Sequence, residues 1–252
     1  MLPATPESID DVIAALDVVI DRARREGDRL GYFAALYRGV TREVKRGIET
    51  SRFQDGARMA RLDVIFARRY LEALAAYRAG RPVTRAWRIA FDAAATRSLL
   101  VLQHLLLGMN AHINLDLGVA AAETCPGSSL PGLQHDFDEI NALLAEMIDE
   151  VQRRIATVSP WMTFLDRVGA RSDEEICSFC IDRARDVAWR SATTLAPLAS
   201  APRDATLTMM DAAVAVLAIP IRTPPPLTRA TLLAIRMRES SDVARVIDAM
   251  GE

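Results

Sequence analysis

A long apolar run in the middle of this chain limits its fold more than any other feature. Between Ser98 and Ala122 the only formally charged residue is Asp116, and the run is long enough to cross a membrane. The same run holds two histidines, two asparagines and a glutamine, which would be very costly in lipid. We therefore expect a helix that is buried inside protein, and no membrane span.

Length and composition are those of an ordinary globular protein. The chain has 252 residues, of which 50% are hydrophobic and 25% charged, so a single domain over residues 1–252 can bury a sizeable core. The formal net charge of −2 provides no basic field, and we expect no nucleic-acid partner. No signal-peptide pattern opens the sequence, and its three cysteines have no disulfide spacing, so we expect a cytoplasmic protein.

Helical periodicity runs along almost the entire chain, and no segment alternates long enough to predict a strand. Helices are predicted over residues 6–26, 28–50, 55–79, 84–122, 134–157 and 172–198, from 202 onward, and over 228–238 and 241–250. The segment 84–122 is too long for one ordinary helix, so we expect a break near 95–98. Ser172 and Glu175 form a capping box that begins the helix after them. The prediction is an all-α, single-domain bundle of about eight helices around a central buried helix.

The polar residues of the central segment sort onto two edges of a helix. At about 100° per residue, His112 and Asp116 lie together on one edge. The other edge carries three amide side chains, those of Gln103, Asn110 and Asn114. Apolar residues cover both remaining sides, which is typical of a helix surrounded by protein. Four residues of this helix are expected to be nearly inaccessible: His104, Leu105, Met109 and Ile113.

These buried polar groups predict an acid–base site. An unpaired buried amide costs about 1–3 kcal/mol, so six polar side chains on one buried helix indicate a function. His112 is predicted to act as base or acid, with Asp116 fixing its tautomer and raising its basicity. His104 is predicted to be a second proton-transfer or hydrogen-bonding group. The alternative is that each polar group bonds to a neighbouring helix and specifies the packing of the core.

Seven further polar residues are predicted to bind a polar group of the substrate. They are Tyr37, Asp63, Tyr70, Gln103, Asn110, Asn114 and Asn141. Asp63 and Tyr70 lie about 20° apart on one shoulder of their helix, with Arg69 on the other shoulder, so they can face the polar edges of the central helix. The open alternative is that they are boundary residues whose polar ends reach water.

A divalent metal ion is a second, less favoured hypothesis for the same residues. His112 and Asp116, with His104 or His135, supply ligands of the right type. His104 lies about 80° from His112 around the helix, so the helix alone does not bring them together. The chain also lacks an HExxH signature.

The segment CSFC is weak support for redox or zinc chemistry. Cys177 and Cys180 have no second cysteine pair and no preceding strand, so we expect them to pack on the core side of their helix. Trp189 and Arg185 are predicted to project away from that side.

Three segments, QHLLLGMNAHINLDLG, LDVIFARRYLEA and HDFDEIN, together resemble a bacterial, all-helical family of unassigned function. The resemblance covers most of the chain, from YFAALYRGVT to VSPW, and HLLLGMNAHINLDL is its specific part. It supports the choice of the central segment and implies no activity.

Together these features predict a small-molecule enzyme with an apolar cavity and a His/Asp acid–base site, such as an isomerase, a cyclase or a lyase. Two alternatives stay open. The first is a metal-dependent hydrolase that uses the same cluster, and the second is a non-enzymatic ligand-binding or assembly module. The expected partner is a small-molecule ligand, and a homo-oligomer is left open.

Overall fold

The computed structural model describes residues 5–160 and 181–251, and all regular structure in them is helical. These residues form eleven α-helices: α1 Ile9–Glu26, α2 Leu30–Glu49, α3 Gly56–Arg78, α4 Arg85–Ala93, α5 Val101–Ala111, α6 Gly118–Thr124, α7 Gln134–Ala156, α8 Ile181–Leu195, α9 Ser200–Arg222, α10 Pro226–Arg236 and α11 Val243–Gly251. A π-helical turn, His112–Leu117, joins α5 to α6, and a 3-10 helix, Gly127–Leu133, precedes α7. The all-α class is confirmed. The capping box at Ser172 and Glu175 and the pair Cys177 and Cys180 lie outside the described residues.

The helix ends follow from local sequence. Ser8 caps α1 by accepting a hydrogen bond from the Asp11 N–H, and the Asp11 carboxylate accepts one from the Ser8 N–H in return. Gly27 ends α1 in the left-handed conformation, with φ at 64°. The predicted break near 95–98 is confirmed, since α4 ends at Ala93 and α5 begins at Val101.

A buried carboxylate, that of Glu239, caps the N-terminus of α5, which follows this break. Both oxygens of Glu239 accept a hydrogen bond from the Val101 N–H, at 3.2 and 3.1 Å. Burial raises the pKa of Glu239, although this N–H and the Ser159 hydroxyl act to lower it. A negative charge is favourable there, because unpaired N–H groups give the first turn of a helix a positive potential.

The central helix, defined here as Val101–Thr124, lies inside the molecule as predicted. Its first half packs against α2, α4 and α9, and its second half packs against α3 and α8. Leu105 is 2% exposed and His104 is 7% exposed. Met109 and Ile113 are half-buried, so the prediction that they are inaccessible was wrong. Both residues line a cavity, described below, and this accounts for their partial exposure.

A glycine allows the close contact between the central helix and α8. A Cβ atom on Gly118 would lie 2.7 Å from the carbonyl oxygen of Ala188 and 2.7 Å from the Cβ atom of Ser191. We expect Gly118→Ala to lower the free energy of unfolding by about 1–3 kcal/mol, because backbone atoms must move apart. Gly39→Ala is the matched control, since no atom lies within 4 Å of a Cβ there. That variant should gain up to about 1 kcal/mol from helix propensity, and urea denaturation of both variants tests the contrast.

Among the residues that the structure describes, two helical stretches are long and apolar enough to cross a membrane. In the central helix, 83% of the apolar window is buried inside the protein, as in a core helix. In α9 the corresponding share is 11%. This helix buries Val214 and Ala218 and exposes large apolar side chains, among them Met209 and Val216. The absence of a membrane span stays a prediction, and the homo-oligomer stays an open alternative.

Three predictions for the C-terminal third differ from the structure. Helix α9 begins at Ser200, not at 202, because Pro202 is tolerated in a first turn, where its missing N–H is not needed. Arg185 does not project away from the core but is only 5% exposed. Trp189 was also predicted to project away from the core, but it is half-buried. The centroid of its ring lies 5.0 Å from that of the Phe137 ring.

Candidate ligand-binding site

A cavity of about 490 Å³ lies between α2, α3, the central helix and α7. Its size is within the range of about 300–1,000 Å³ that is usual for small-molecule pockets. Most of the wall is apolar, and the contributing side chains include Leu36, Leu62, Phe66, Leu105, Met109, Leu144 and Val151. Six polar side chains also line it: Tyr37, Asp63, His112, Asn141, Gln152 and Arg185.

Three of these polar side chains are buried with unpaired atoms. Within the described part of the chain, the Tyr37 hydroxyl, Oδ2 of Asp63 and both ring nitrogens of His112 have no hydrogen-bond partner. The three residues are 5%, 7% and 2% exposed. They come from α2, α3 and the π-helical turn, and we call them the polar end of the cavity. Unpaired buried groups are rare in folded proteins, and each calls for an explanation such as a ligand.

The π-helical turn begins at the histidine of the polar end. Such turns insert an extra residue into an α-helix and are frequent at functional sites. The His112 ring stacks on Phe66, with 3.6 Å between centroids and 5° between planes. The Tyr37 ring meets it edge-on at 4.5 Å. These contacts fix the imidazole at the cavity wall.

Burial sets the protonation of the polar end. It raises the pKa of Asp63 to about 7. It raises the pKa of Tyr37 well above its usual value; the nearby Asp63 charge adds to this effect and the Thr41 hydroxyl opposes it. It lowers the pKa of His112 and outweighs the opposing influence of Asp116. Near neutral pH, His112 is therefore neutral and Asp63 exchanges between its two forms.

Asp116 lies behind His112 and does not line the cavity. Its Oδ1 accepts a hydrogen bond from Arg69 Nε at 2.9 Å, and its Oδ2 accepts one from Trp87 Nε1 at 2.8 Å. His112 Nδ1 is 3.5 Å from Oδ2, which is long for a hydrogen bond. Asp116 and His112 are thus neighbours, as predicted, but the strong bonds of the carboxylate go to Arg69 and Trp87. The sequence placed Arg69 on a shoulder facing the central helix, but gave no signal that Trp87 would bind Asp116.

The third predicted catalytic residue lies elsewhere. His104 lines a separate small cavity of about 20 Å³, with room for about one water molecule. Its ring meets that of Tyr32 edge-on at 5.7 Å, and its Nε2 has no partner within residues 5–160 and 181–251. Burial lowers the pKa of His104 to about 3, and the charges of Arg29 and Arg236 contribute. The structure therefore does not bring His104 together with His112.

The amides of the central helix hold it against α9. Gln103 Nε2 donates to the carbonyl oxygen of Ile221 at 2.6 Å, and Asn110 Nδ2 donates to that of Val214 at 3.0 Å. Asn114 Nδ2 donates to Oδ1 of Asn110 at 2.9 Å. None of the three amides lines the 490 Å³ cavity. Their contacts agree with the alternative that these groups bond to a neighbouring helix and specify core packing. They do not reach the cavity that would hold a substrate.

Of the other predicted binding residues, some line the large cavity and some do not. Tyr70 is 1% exposed and lines the small cavity, not the large one. Asn141 does line the large cavity and accepts a hydrogen bond from Arg185 Nε. Arg185 also donates to the Phe137 carbonyl, and its guanidinium lies 4.3 Å from the centroid of the Phe137 ring. Arg185 was not predicted as a wall residue, because the helical pattern placed it on the side facing away from the core.

The residues of the metal hypothesis do not converge. His135 is on the surface of α7, with 59% of its side chain exposed beside Asp136. Among the residues that the structure describes, no three His, Cys, Asp or Glu side chains are grouped so that they could hold an ion.

Comparison with known proteins identifies the family only. No curated protein matches the chain, and no solved structure matches it. The model of a family of unknown function, DUF5995, matches residues 9–224, and the chain therefore belongs to that family.

Proposed function

We propose that this protein binds a small, mostly apolar molecule in the 490 Å³ cavity and moves a proton on it at the polar end. The observation that carries the proposal is that three residues lining an apolar cavity, Tyr37, Asp63 and His112, have buried polar atoms without a hydrogen-bond partner. Leaving such groups unpaired costs about 1–3 kcal/mol each. A scaffold gains nothing from that cost, whereas a ligand that bonds to them recovers it.

The polar end has suitable groups for acid–base chemistry near neutral pH. Neutral His112 has one lone pair that can accept a proton, and the Asp63 carboxyl, with a pKa of about 7, can accept or release one. The Tyr37 hydroxyl can donate a hydrogen bond to charge that develops on the ligand. Isomerisation, elimination and cyclisation are the reactions that such groups can catalyse without a further reactant. Asp116 then positions His112 from behind.

Binding can be tested before any ligand is known. N-Phenyl-1-naphthylamine, a fluorophore that brightens in apolar surroundings, should bind the wild-type protein. Val151→Phe extends a wall residue into the cavity, and we expect it to weaken binding about tenfold, or 1.4 kcal/mol. Val216→Phe makes the same change on the exposed face of α9, where the residue is 61% exposed, and should have no effect. The reverse pattern would assign binding to α9 and contradict the proposal.

Proton transfer can be tested on the compounds that bind. Apolar metabolites that raise the melting temperature should be incubated with the protein in D2O and analysed by mass spectrometry. We expect deuterium incorporation or conversion of at least one compound by the wild type, and a loss of at least about 100-fold in His112→Phe, since general acid–base groups contribute about 10²–10⁴ in rate. Equal exchange by both proteins would reject His112 as the proton carrier.

A further inference from the structure

We propose that the ligand is an apolar amine whose ammonium group binds between Asp63, Tyr37 and His112. The inference rests on the proposed function and names the class of its ligand. Three independent features of the polar end point to a cation with N–H donors: its charge, its unpaired atoms and the rings around it.

The charge of the polar end favours a cation. Asp63 is a buried acid, and burial is the only influence that shifts its pKa, so no positive side chain in the described ranges compensates its charge. The nearest cation behind His112, Arg69, is already bound to Asp116 at 2.9 Å. A ligand ammonium at the polar end would therefore meet one uncompensated carboxylate. The guanidinium that lines the cavity, that of Arg185, comes from α8 and donates to Asn141 and to the Phe137 carbonyl. A ligand carboxylate would instead face that of Asp63.

The unpaired atoms also match an ammonium. A primary ammonium has three N–H donors, and the polar end offers three acceptors: Oδ2 of Asp63, the Tyr37 hydroxyl and the lone-pair nitrogen of neutral His112. An alcohol donates one hydrogen bond and therefore supplies a donor to only one of these three acceptors. A primary amine can thus supply one N–H donor to each of the three acceptors.

Two aromatic rings lie against His112 at the polar end. Phe66 and Tyr37 meet at 76°, with their centroids 5.9 Å apart, and both line the cavity. Ring faces carry negative potential and attract cations, and the attraction grows when water is excluded. The rest of the wall is apolar and fits the hydrocarbon part of the ligand.

Three ligands with the same chain test the inference on the unmodified protein. Octylamine, 1-octanol and octanoate should displace the naphthylamine probe at pH 7.5. We expect octylamine to bind at least about tenfold more tightly than 1-octanol, and octanoate to bind most weakly. In Asp63→Asn, octylamine should lose about tenfold in affinity while 1-octanol stays within about twofold. Val151→Phe should weaken both, which excludes binding to acidic groups on the surface.

The outcomes separate the two proposals. If 1-octanol or octanoate binds as tightly as octylamine and Val151→Phe weakens it, the amine inference is overturned while the binding proposal stands. The same holds if Asp63→Asn leaves octylamine binding unchanged. If none of the three compounds displaces a probe that does bind, the amine inference fails. If the probe itself does not bind, the proposed function fails with it. The comparison of ligands on the wild type does not depend on the folding of any variant.

Discussion

Asp63→Asn should stabilise the protein at pH 8 by up to about 4 kcal/mol and leave its stability unchanged below pH 4. Asparagine keeps the shape of the side chain and removes its charge. Burial raises the pKa of Asp63 from 3.8 to about 7. Below pH 3.8 the carboxyl is protonated in both the folded and the unfolded chain, so its ionisation does not change the free energy of unfolding.

The sign of the effect follows from the two pKa values. Between about pH 4 and pH 7 the unfolded chain ionises Asp63 while the folded protein keeps it protonated, so the wild type loses stability as the pH rises. Above pH 7 the loss is complete and amounts to about 1.4 kcal/mol for each of about three pKa units. Urea denaturation of wild type and variant at pH 4, 6 and 8 should show a gap that opens with pH.

A second buried aspartate is the matched control, with the opposite sign. Asp136 accepts hydrogen bonds from the N–H groups of Gln54 and Asp55 and from Arg58. Burial acts to raise its pKa, but these donors together lower it. Its ionised form is therefore stabilising, and Asp136→Asn should lose about 1–3 kcal/mol at pH 8. If Asp63→Asn also lost stability at pH 8, Asp63 would have an unrecognised partner, and the polar end would be part of the scaffold.

The helices were predictable because their signals are local. Apolar spacing, the capping box at Ser8 and the helix-ending Gly27 act within a few residues, and the helices lie close to where these patterns predict them. The edge of the central helix that carries Gln103 and Asn110 was also predictable, since both residues lie in α5 and an α-helix keeps a constant angle per residue. The π-helical turn after α5 was not predictable, because no local sequence pattern indicates an extra residue in a helical turn.

An apolar cavity was predicted, but its position and its lining could not be, because they depend on which helices meet. The sequence placed Asp63 on a shoulder of α3, where water and a buried site are equally acceptable surroundings. Only the packing of α2, α3, α7 and the central helix leaves a space there. The same limit applies to Asn110, whose bond to Val214 in α9 is between residues 104 positions apart in sequence.

Asp116→Asn should lower the free energy of unfolding at pH 7 by about 2–4 kcal/mol. The residue is 1% exposed, and each of its oxygens accepts a hydrogen bond from a different donor, Arg69 Nε or Trp87 Nε1. Asparagine has one oxygen, so its NH2 group must face one of these two donors. The variant therefore loses one hydrogen bond, leaves a guanidinium without its counter-charge and opposes two N–H groups. Asp138→Asn, on the exposed side of α7, should stay within about 0.5 kcal/mol of the wild type.

A double variant tests whether Asp116 stabilises the fold through its hydrogen bond with Trp87 or acts only through His112. Trp87→Phe removes the indole N–H, so the NH2 group of an asparagine at 116 no longer meets a donor on that side. The loss in Asp116→Asn/Trp87→Phe should then be smaller than the sum of the two single losses, by about 1 kcal/mol. Strict additivity would mean that Asp116 and Trp87 do not interact. Asp116→Asn could instead leave stability unchanged and remove only proton transfer. The role of Asp116 would then be its contact with His112, whose Nδ1 lies 3.5 Å from Oδ2.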